Sequence, residues 1–176
     1  MARQITKFTM MLVLTIGLAA GAVTAQVKDG GFAPVGIFTG EEIDEGICSR
    51  SSTPICYGNA FALSSFGESE THYLSVSIDY IAGGINPNEA FPVINGSWTL
   101  VVYRDDSYAG TLKGNVLGGT VLIDNDSNLK HVLLDLRSAA GSGIFEGKAG
   151  ENISGIYQTT TNMLSDETSG SASFGF

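Results

Sequence analysis

Tyr73-Leu-Ser-Val-Ser-Ile-Asp-Tyr80 alternates without a break: Leu74, Val76, Ile78 and Tyr80 fall on one side, Ser75, Ser77 and Asp79 on the other. A period of two is the signature of a half-buried β-strand, because successive side chains leave a pleated backbone on opposite faces. The same pattern recurs outward from this stretch. Trp98, Leu100 and Val102 share a face in Ser97–Tyr103; Val132, Leu134 and Leu136 alternate with His131, Leu133, Asp135 and Arg137; Ala172, Phe174 and Phe176 repeat it to the last residue. Turn-forming clusters sit between the runs at Ile85-Asn-Pro-Asn88, Asn95-Gly96, Arg104-Asp-Asp-Ser107, Gly118-Gly119 and Asp124-Asn-Asp-Ser-Asn128. Strands at roughly ten-residue spacing with such punctuation predict a sandwich or barrel. Beyond the N-terminus no segment carries a helical period, one short turn near Asn162–Glu167 aside.

Gly141-Ser-Gly-Ile-Phe-Glu-Gly-Lys-Ala-Gly150 places four glycines around one aromatic residue. Glycine at that density permits positive φ and close backbone approach, so the stretch predicts a tight, bulged hairpin corner with Phe145 as a plug of the core. Short strands with glycines at the corners bury one apolar face and leave no long edge when the sheet closes on itself. The expected architecture is therefore all-β: one antiparallel barrel of about eight strands over residues 61–176, with Leu74, Val76, Ile78, Trp98, Leu100, Val132, Leu134, Phe145 and Phe174 in its core. Residues 26–60, with Gly30-Gly31, Pro34 and the acidic run Glu41-Glu42-Ile43-Asp44-Glu45, read as an irregular lead-in stapled to the sheet.

The staple is Cys48 and Cys56, the two cysteines of the chain. Residues 1–25 carry the marks of a cleaved signal peptide: Arg3 and Lys7, an apolar run from Met10 to Ala20, and Val23-Thr24-Ala25 before the expected cut. The run falls short of the ~20 apolar residues a helical bilayer span needs, so the mature chain is expected to have no membrane span of that kind. In the secreted or periplasmic compartment that this implies, the expected state of the two cysteines is a disulfide. Their C-x7-C spacing suits neither a redox pair nor a zinc knuckle.

The chain has 9 basic and 18 acidic residues, a net charge of −9. Arg3 and Lys7 leave with residues 1–25 and no acid does, which takes the charge to −11. A surface this acidic repels phosphate backbones and anionic membranes, so no nucleic acid partner is expected.

Catalytic and metal chemistry find little purchase. The two histidines, His72 and His131, each begin a strand pattern; no G-x-S-x-G elbow exists, and no cysteine is left as a nucleophile. His131 and Asp135 share a strand face but stand two positions apart on it, too far for a direct hydrogen bond. Asp124-x-Asp126-x-Asn128 with Asp135 imitates a calcium loop, yet Leu129 occupies the position that needs glycine, so a hairpin turn is the expectation. Asn95, Asn125 and Asn152 begin glycosylation sequons that matter only in a eukaryotic secretory route. No cofactor, no metal and no catalytic residue is assigned.

Gly141-Ser-Gly-Ile-Phe-Glu-Gly-x-x-Gly150, together with Gly96-Ser-Trp98, Tyr108-x-Gly-Thr-Leu-x-Gly114, Gly118-Gly-Thr120 and Ser169-Gly170, resembles the glycine-rich hairpins of the allene oxide cyclase and dirigent barrels over residues 95–176. The resemblance implies a small eight-stranded antiparallel barrel, whose lumen in the cyclases holds a hydrophobic substrate. Residues 26–60 offer no match to the cyclase strand that supplies catalytic polar groups. Gly143-Ile-Phe-x-Gly-Lys-Ala-x-Glu151-x-x-x-Gly155 with Ala172-Ser-Phe174-Gly is similar also to the C-terminal barrel of neisserial factor-H-binding and transferrin-binding surface lipoproteins, and implies the same fold. The function expected is non-catalytic binding of a small apolar ligand or a protein partner. The alternatives are an isomerase- or cyclase-type enzyme working in the lumen and a small outer-membrane barrel. The latter needs lipid-facing strands of about ten alternating residues, and the runs read here are shorter.

Overall fold

The computed structural model describes residues 32–48, 55–67, 69–81, 88–148 and 153–175, the side chains of 32–36, 44–48 and 55–59 excepted. The signal segment 1–25 lies outside them. Eight strands follow one another along the chain: β1 (Phe32–Cys48), β2 (Ile55–Phe66), β3 (Glu70–Ile81), β4 (Ala90–Arg104), β5 (Ser107–Asp124), β6 (Leu129–Gly143), β7 (Ser154–Asn162) and β8 (Glu167–Gly175). Each pairs antiparallel with its neighbours in sequence, and β1 closes the barrel on β8 with Gly40 opposite Thr168 and Phe32 opposite Gly175. The expected all-β, eight-stranded antiparallel barrel is the fold observed.

Alternation decides which face turns inward. Leu74, Val76, Ile78 and Tyr80 of β3, Trp98, Leu100 and Val102 of β4, and Val132, Leu134 and Leu136 of β6 are all buried, as are Phe145 and Phe174. Five large rings fill the lumen: Phe38, Phe61, Trp98, Tyr157 and Phe174, none more than 2% exposed. Trp98 leans on Phe174 with ring centroids 4.8 Å apart, and its indole N–H donates to the Asn115 carbonyl at 3.2 Å. The outward positions are mostly small and polar, among them Ser75, Thr99, Lys113, Asn115, Gln158, Ser169 and Ser171. Exposed apolar residues are interspersed among them, including Ile37, Ile94, Leu117, Leu133 and Ile156, while Ser138, Thr159, Thr161 and Thr168 are buried.

Three expectations are corrected. Within the segment 26–60 expected as an irregular lead-in, the described residues 32–48 and 55–60 are barrel strands, with pairing from Phe32 in β1 and from Ile55 in β2, and the remainder lies outside the described residues. Their inward face hid the strand. It reads Phe38, Gly40, Glu42, a single apolar residue, and glycine is needed at 40 because a Cβ there would stand 2.0 Å from the Ala62 carbonyl oxygen of β2. Asn95-Gly96 and Gly118-Gly119 are not turns between strands either. They lie within β4 and β5 beside register shifts at Asp79/Tyr80 and Val116/Gly118, so the chain passes through them as bulges that bend long strands around the barrel. Consequently the strands reach 18 residues in β5, and length no longer separates this barrel from a membrane one.

The other expected turns hold where they are described. Arg104-Asp-Asp-Ser107 is a two-residue hairpin with φ of 46° at Asp105 and 59° at Asp106, the pair of positive values that a type I′ turn requires. Most of the cluster at 85–88 lies outside the described residues.

The described part of the Gly141–Gly150 stretch, to Lys148, ends β6 and turns tightly after it. Glu146 N–H donates to Gly143 O at 3.0 Å and Lys148 N–H to Phe145 O at 3.1 Å, while Ile144 N–H reaches Ala109 O of β5 at 3.0 Å. This tight turn tucks Phe145 into the core, 7% exposed. Gly143 holds φ at 62°, and a Cβ there would meet Ala109 O at 2.2 Å. Gly143→Ala is expected to cost at least the ~1–2 kcal/mol of a left-handed non-glycine residue. Thermal unfolding should register it as a melting temperature lower by roughly 2–4 °C per kcal/mol.

Candidate functional site

Two assemblies of functional side chains stand out, one inside the barrel and one on its wall. The inner one crosses four neighbouring strands at one end. Lys130 opens β6 opposite Thr161 of β7, Thr161 faces Thr168 of β8, and Thr168 faces Gly40 of β1, two residues before Glu42. All these side chains alternate inward. Lys130 Nζ donates to both carboxylate oxygens of Glu42 at 2.7 Å, with the two side chains 8% and 2% exposed. The Thr161 and Thr168 hydroxyls meet at 2.7 Å. Deeper in, burial pushes the Tyr157 phenol well above its usual range, and the nearby Glu42 charge adds to that. Its hydroxyl lies beside Thr159 Oγ1 without the geometry of a hydrogen bond.

This cluster has an acid, a base and a phenol, yet both carboxylate oxygens of Glu42 are engaged by the Lys130 ammonium in the buried interior, and a proton acceptor must first be reachable by a substrate. The rings of Phe38, Phe61 and Tyr157 pack the lumen; Phe61 and Tyr157 stand 6.5 Å apart.

At the opposite mouth, Glu70 and His72 of β3 meet Arg104 of β4. His72 Nε2 lies 3.1 Å from Glu70 Oε2, and Arg104 Nε donates to Glu70 Oε1. Partial burial acts to raise the Glu70 carboxyl, but the bonds from Arg104 and His72 and their positive charge outweigh it and hold it below 4.5. A carboxyl lowered by folding stabilises the fold above its unfolded value, and that contribution drains away as pH falls through the folded one. Glu70→Gln should therefore melt below the parent at neutral pH, with the gap closing as the solution is acidified through the lowered range of the Glu70 carboxyl. Melting curves across pH check this, and a constant gap would refute it.

The outer assembly runs around the wall at that same mouth. Phe66 of β2, Tyr73 of β3, Tyr103 of β4 and Tyr108 of β5 all leave the sheet outward. They form an unbroken row, with centroid steps of 6.4, 5.9 and 6.2 Å. The Tyr108 hydroxyl lies 3.0 Å from Thr111 Oγ1 and 2.9 Å from Ser142 Oγ, which fixes its ring. Beside the row, Thr71, Tyr73, Val101, Tyr103 and Asp106 line an open groove of about 400 Å³. Phe66 is 72% exposed, unusual for so large an apolar side chain, and single exposed rings are common whereas a row of four is not.

The remaining sequence candidates stay apart from both assemblies. Asp124 accepts from the backbone N–H of Asp126 and Ser127 at 3.0 and 3.3 Å, which makes 124–128 a hairpin turn; Asp135 lies outward farther along β6. His131 pairs with Thr160 Oγ1 at 3.0 Å rather than with Asp135. Among the described residues no three of His, Cys, Asp and Glu gather as metal ligands, and no helix is long and apolar enough to cross a membrane. Asn95 and Asn125 are exposed, and Asn152 lies outside the described residues. Cys48 and Cys56 are direct partners in the β1–β2 ladder, their side chains lying outside the description.

The ring row escaped the sequence reading. Tyr103 and Tyr108 flank the Asp105-Asp106 turn, and a two-residue hairpin puts them opposite one another, a signal that was available. Comparison with known proteins finds no matching family model, no matching curated protein and no matching solved structure.

Proposed function

We propose that this is an exported, non-catalytic binding protein whose ligand meets the outer wall of the barrel at the Phe66–Tyr73–Tyr103–Tyr108 row. The observation that carries the reading is the pairing of a lumen packed by five rings with an exposed aromatic row bordering a groove. Binding sites combine apolar and aromatic surface with a few polar groups, and the groove offers Thr71 and Asp106 for the latter. Export rests on residues 1–25 and on the cysteines. Cross-strand partners stand about 4.5–5.5 Å apart at Cα, inside the ~4.4–6.8 Å range of a disulfide. Intact mass spectrometry of the secreted protein is expected to find a chain beginning at Gln26 and lighter by two hydrogens than its reduced form.

The many polar outward residues, such as Ser75, Thr99, Lys113, Asn115, Gln158, Ser169 and Ser171, which interrupt the exposed apolar ones, argue against an outer-membrane barrel, whose strands turn a continuous apolar band to lipid. An isomerase- or cyclase-type enzyme in the lumen is the second reading, favoured by Glu42, Lys130 and Tyr157 facing inward together. One experiment separates it from the first. A screen of small aromatic and apolar fragments, mapped by amide chemical shifts, should mark Tyr73, Val101 and Tyr103. Hits that instead mark Leu134, Tyr157 and Thr161 would overturn the outer-wall reading in favour of the lumen.

A further inference from the structure

The planes of the four rings turn by nearly a right angle at each step: 87° from Phe66 to Tyr73, 89° from Tyr73 to Tyr103 and 79° from Tyr103 to Tyr108. A coplanar row would make a flat platform suited to stacked sugar rings or bases. Perpendicular rings leave a notch at every step, and notches fit a ligand with ridges. Charge sets a second condition. Asp106 lines the groove and Asp105 adjoins it, both exposed, while the neighbouring cation Arg104 is engaged by Glu70. The groove therefore favours a cationic occupant, and the chain's net charge of −9 has the same sign. Hydroxyls of Thr71, Tyr73 and Tyr103 supply hydrogen-bond donors along it.

We infer that this groove takes a proline-rich peptide segment in the polyproline II conformation, with an Arg or Lys of that segment over Asp106. The inference rests on the outer-wall reading above and names its partner class. A polyproline II segment has ridges formed by its own rings, and its carbonyls bond to nothing within the segment, so they are open to tyrosine and threonine hydroxyls. It is extended before it binds, which lowers the entropic cost of docking on aromatic rings. A guanidinium adds a salt link to the carboxylate and stacks on an exposed ring face. Tyr108, pinned by Thr111 and Ser142, presents one notch already formed.

The test is an amide-shift titration of the 15N-labelled exported protein with three probes: an oligoproline peptide carrying arginines at one end, the same peptide with glutamines in their place, and a soluble β-linked glucose hexasaccharide. The arginine peptide is expected to shift Thr71, Tyr73, Val101, Tyr103 and Asp106 and to bind several-fold tighter than the glutamine peptide, the difference vanishing at high salt. Tyr103→Ala should weaken it by roughly tenfold or more. Asp106→Asn should abolish the preference for arginine while leaving the glutamine peptide unaffected. Asparagine tolerates the positive φ of 59° at this turn, so that variant keeps the hairpin. Failure of the arginine peptide to move these amides overturns the inference. If the hexasaccharide moves them instead, the peptide class is wrong and the outer-wall reading stands; if the fragment screen marks the lumen, both fall.

Discussion

Glu42→Ala is expected to destabilise the barrel by about 3–5 kcal/mol, the cost of stripping a buried ammonium of its carboxylate. The Lys130 side chain is 8% exposed and held at 2.7 Å by both Glu42 oxygens, so little water can replace what the substitution removes. The interior carries the consequence further, because Lys130, Thr161, Thr168 and Gly40 occupy four successive strands, the β6–β1 half of the barrel. Lys130→Met combined with Glu42→Leu removes both charges and keeps the volume, and is expected to match the parent or exceed it by ~1–4 kcal/mol. Urea unfolding of the two single variants and the double one measures this directly. A double variant as unstable as the single ones would mean that the pair holds the strands in register rather than merely neutralising itself.

Trp98→Ala is the second large effect, at about 3–5 kcal/mol for a buried aromatic side chain cut back to a methyl. Trp98 is 2% exposed, packs on Phe174 at 4.8 Å and ties its indole to the Asn115 carbonyl across β4 and β5. Its removal opens a cavity in the lumen against Phe174 and takes the indole donor from that carbonyl, two costs that add. Trp98→Phe should fall well short of it, since the ring contact with Phe174 survives. As the single tryptophan of the chain, Trp98 also reports on the parent: its emission should be that of an apolar site and move to the red on unfolding. An unfolding midpoint for Trp98→Ala within a few tenths of a kcal/mol of the parent would contradict the packed lumen on which the outer-wall reading depends.

Both effects sit in the interior, yet they are unequally legible in the sequence. Trp98 lies in a run where every second residue is apolar, so its burial follows from period two alone. Glu42 and Lys130 stand 88 positions apart, each looking like a solvated charge in its own neighbourhood. Only closure of β1 on β8 puts them within reach. The acidic run Glu41-Glu42-Ile43-Asp44-Glu45 reads as surface, and Glu42 alone of its described side chains turns inward. The outer row divides similarly. Tyr103 and Tyr108 are joined by a turn whose type the aspartates announce, whereas Tyr73 and Phe66 join them through lateral pairing that no local pattern encodes.

By itself, then, the chain determined that it is built of strands, which faces of β3, β4 and β6 are apolar, and that Gly141–Gly150 is a corner with Phe145 tucked beneath it. These follow from side-chain alternation and from the φ values that glycine permits, both properties of adjacent residues. The tertiary structure alone decided that β1 is a strand, that Asn95-Gly96 and Gly118-Gly119 bend strands instead of ending them, and which polar residues meet inside and which aromatic ones outside. Those outcomes depend on strand register and barrel closure, where residues far apart in sequence become neighbours. Local preference is silent about such pairs, because the free energy that selects them comes from filling one shared interior.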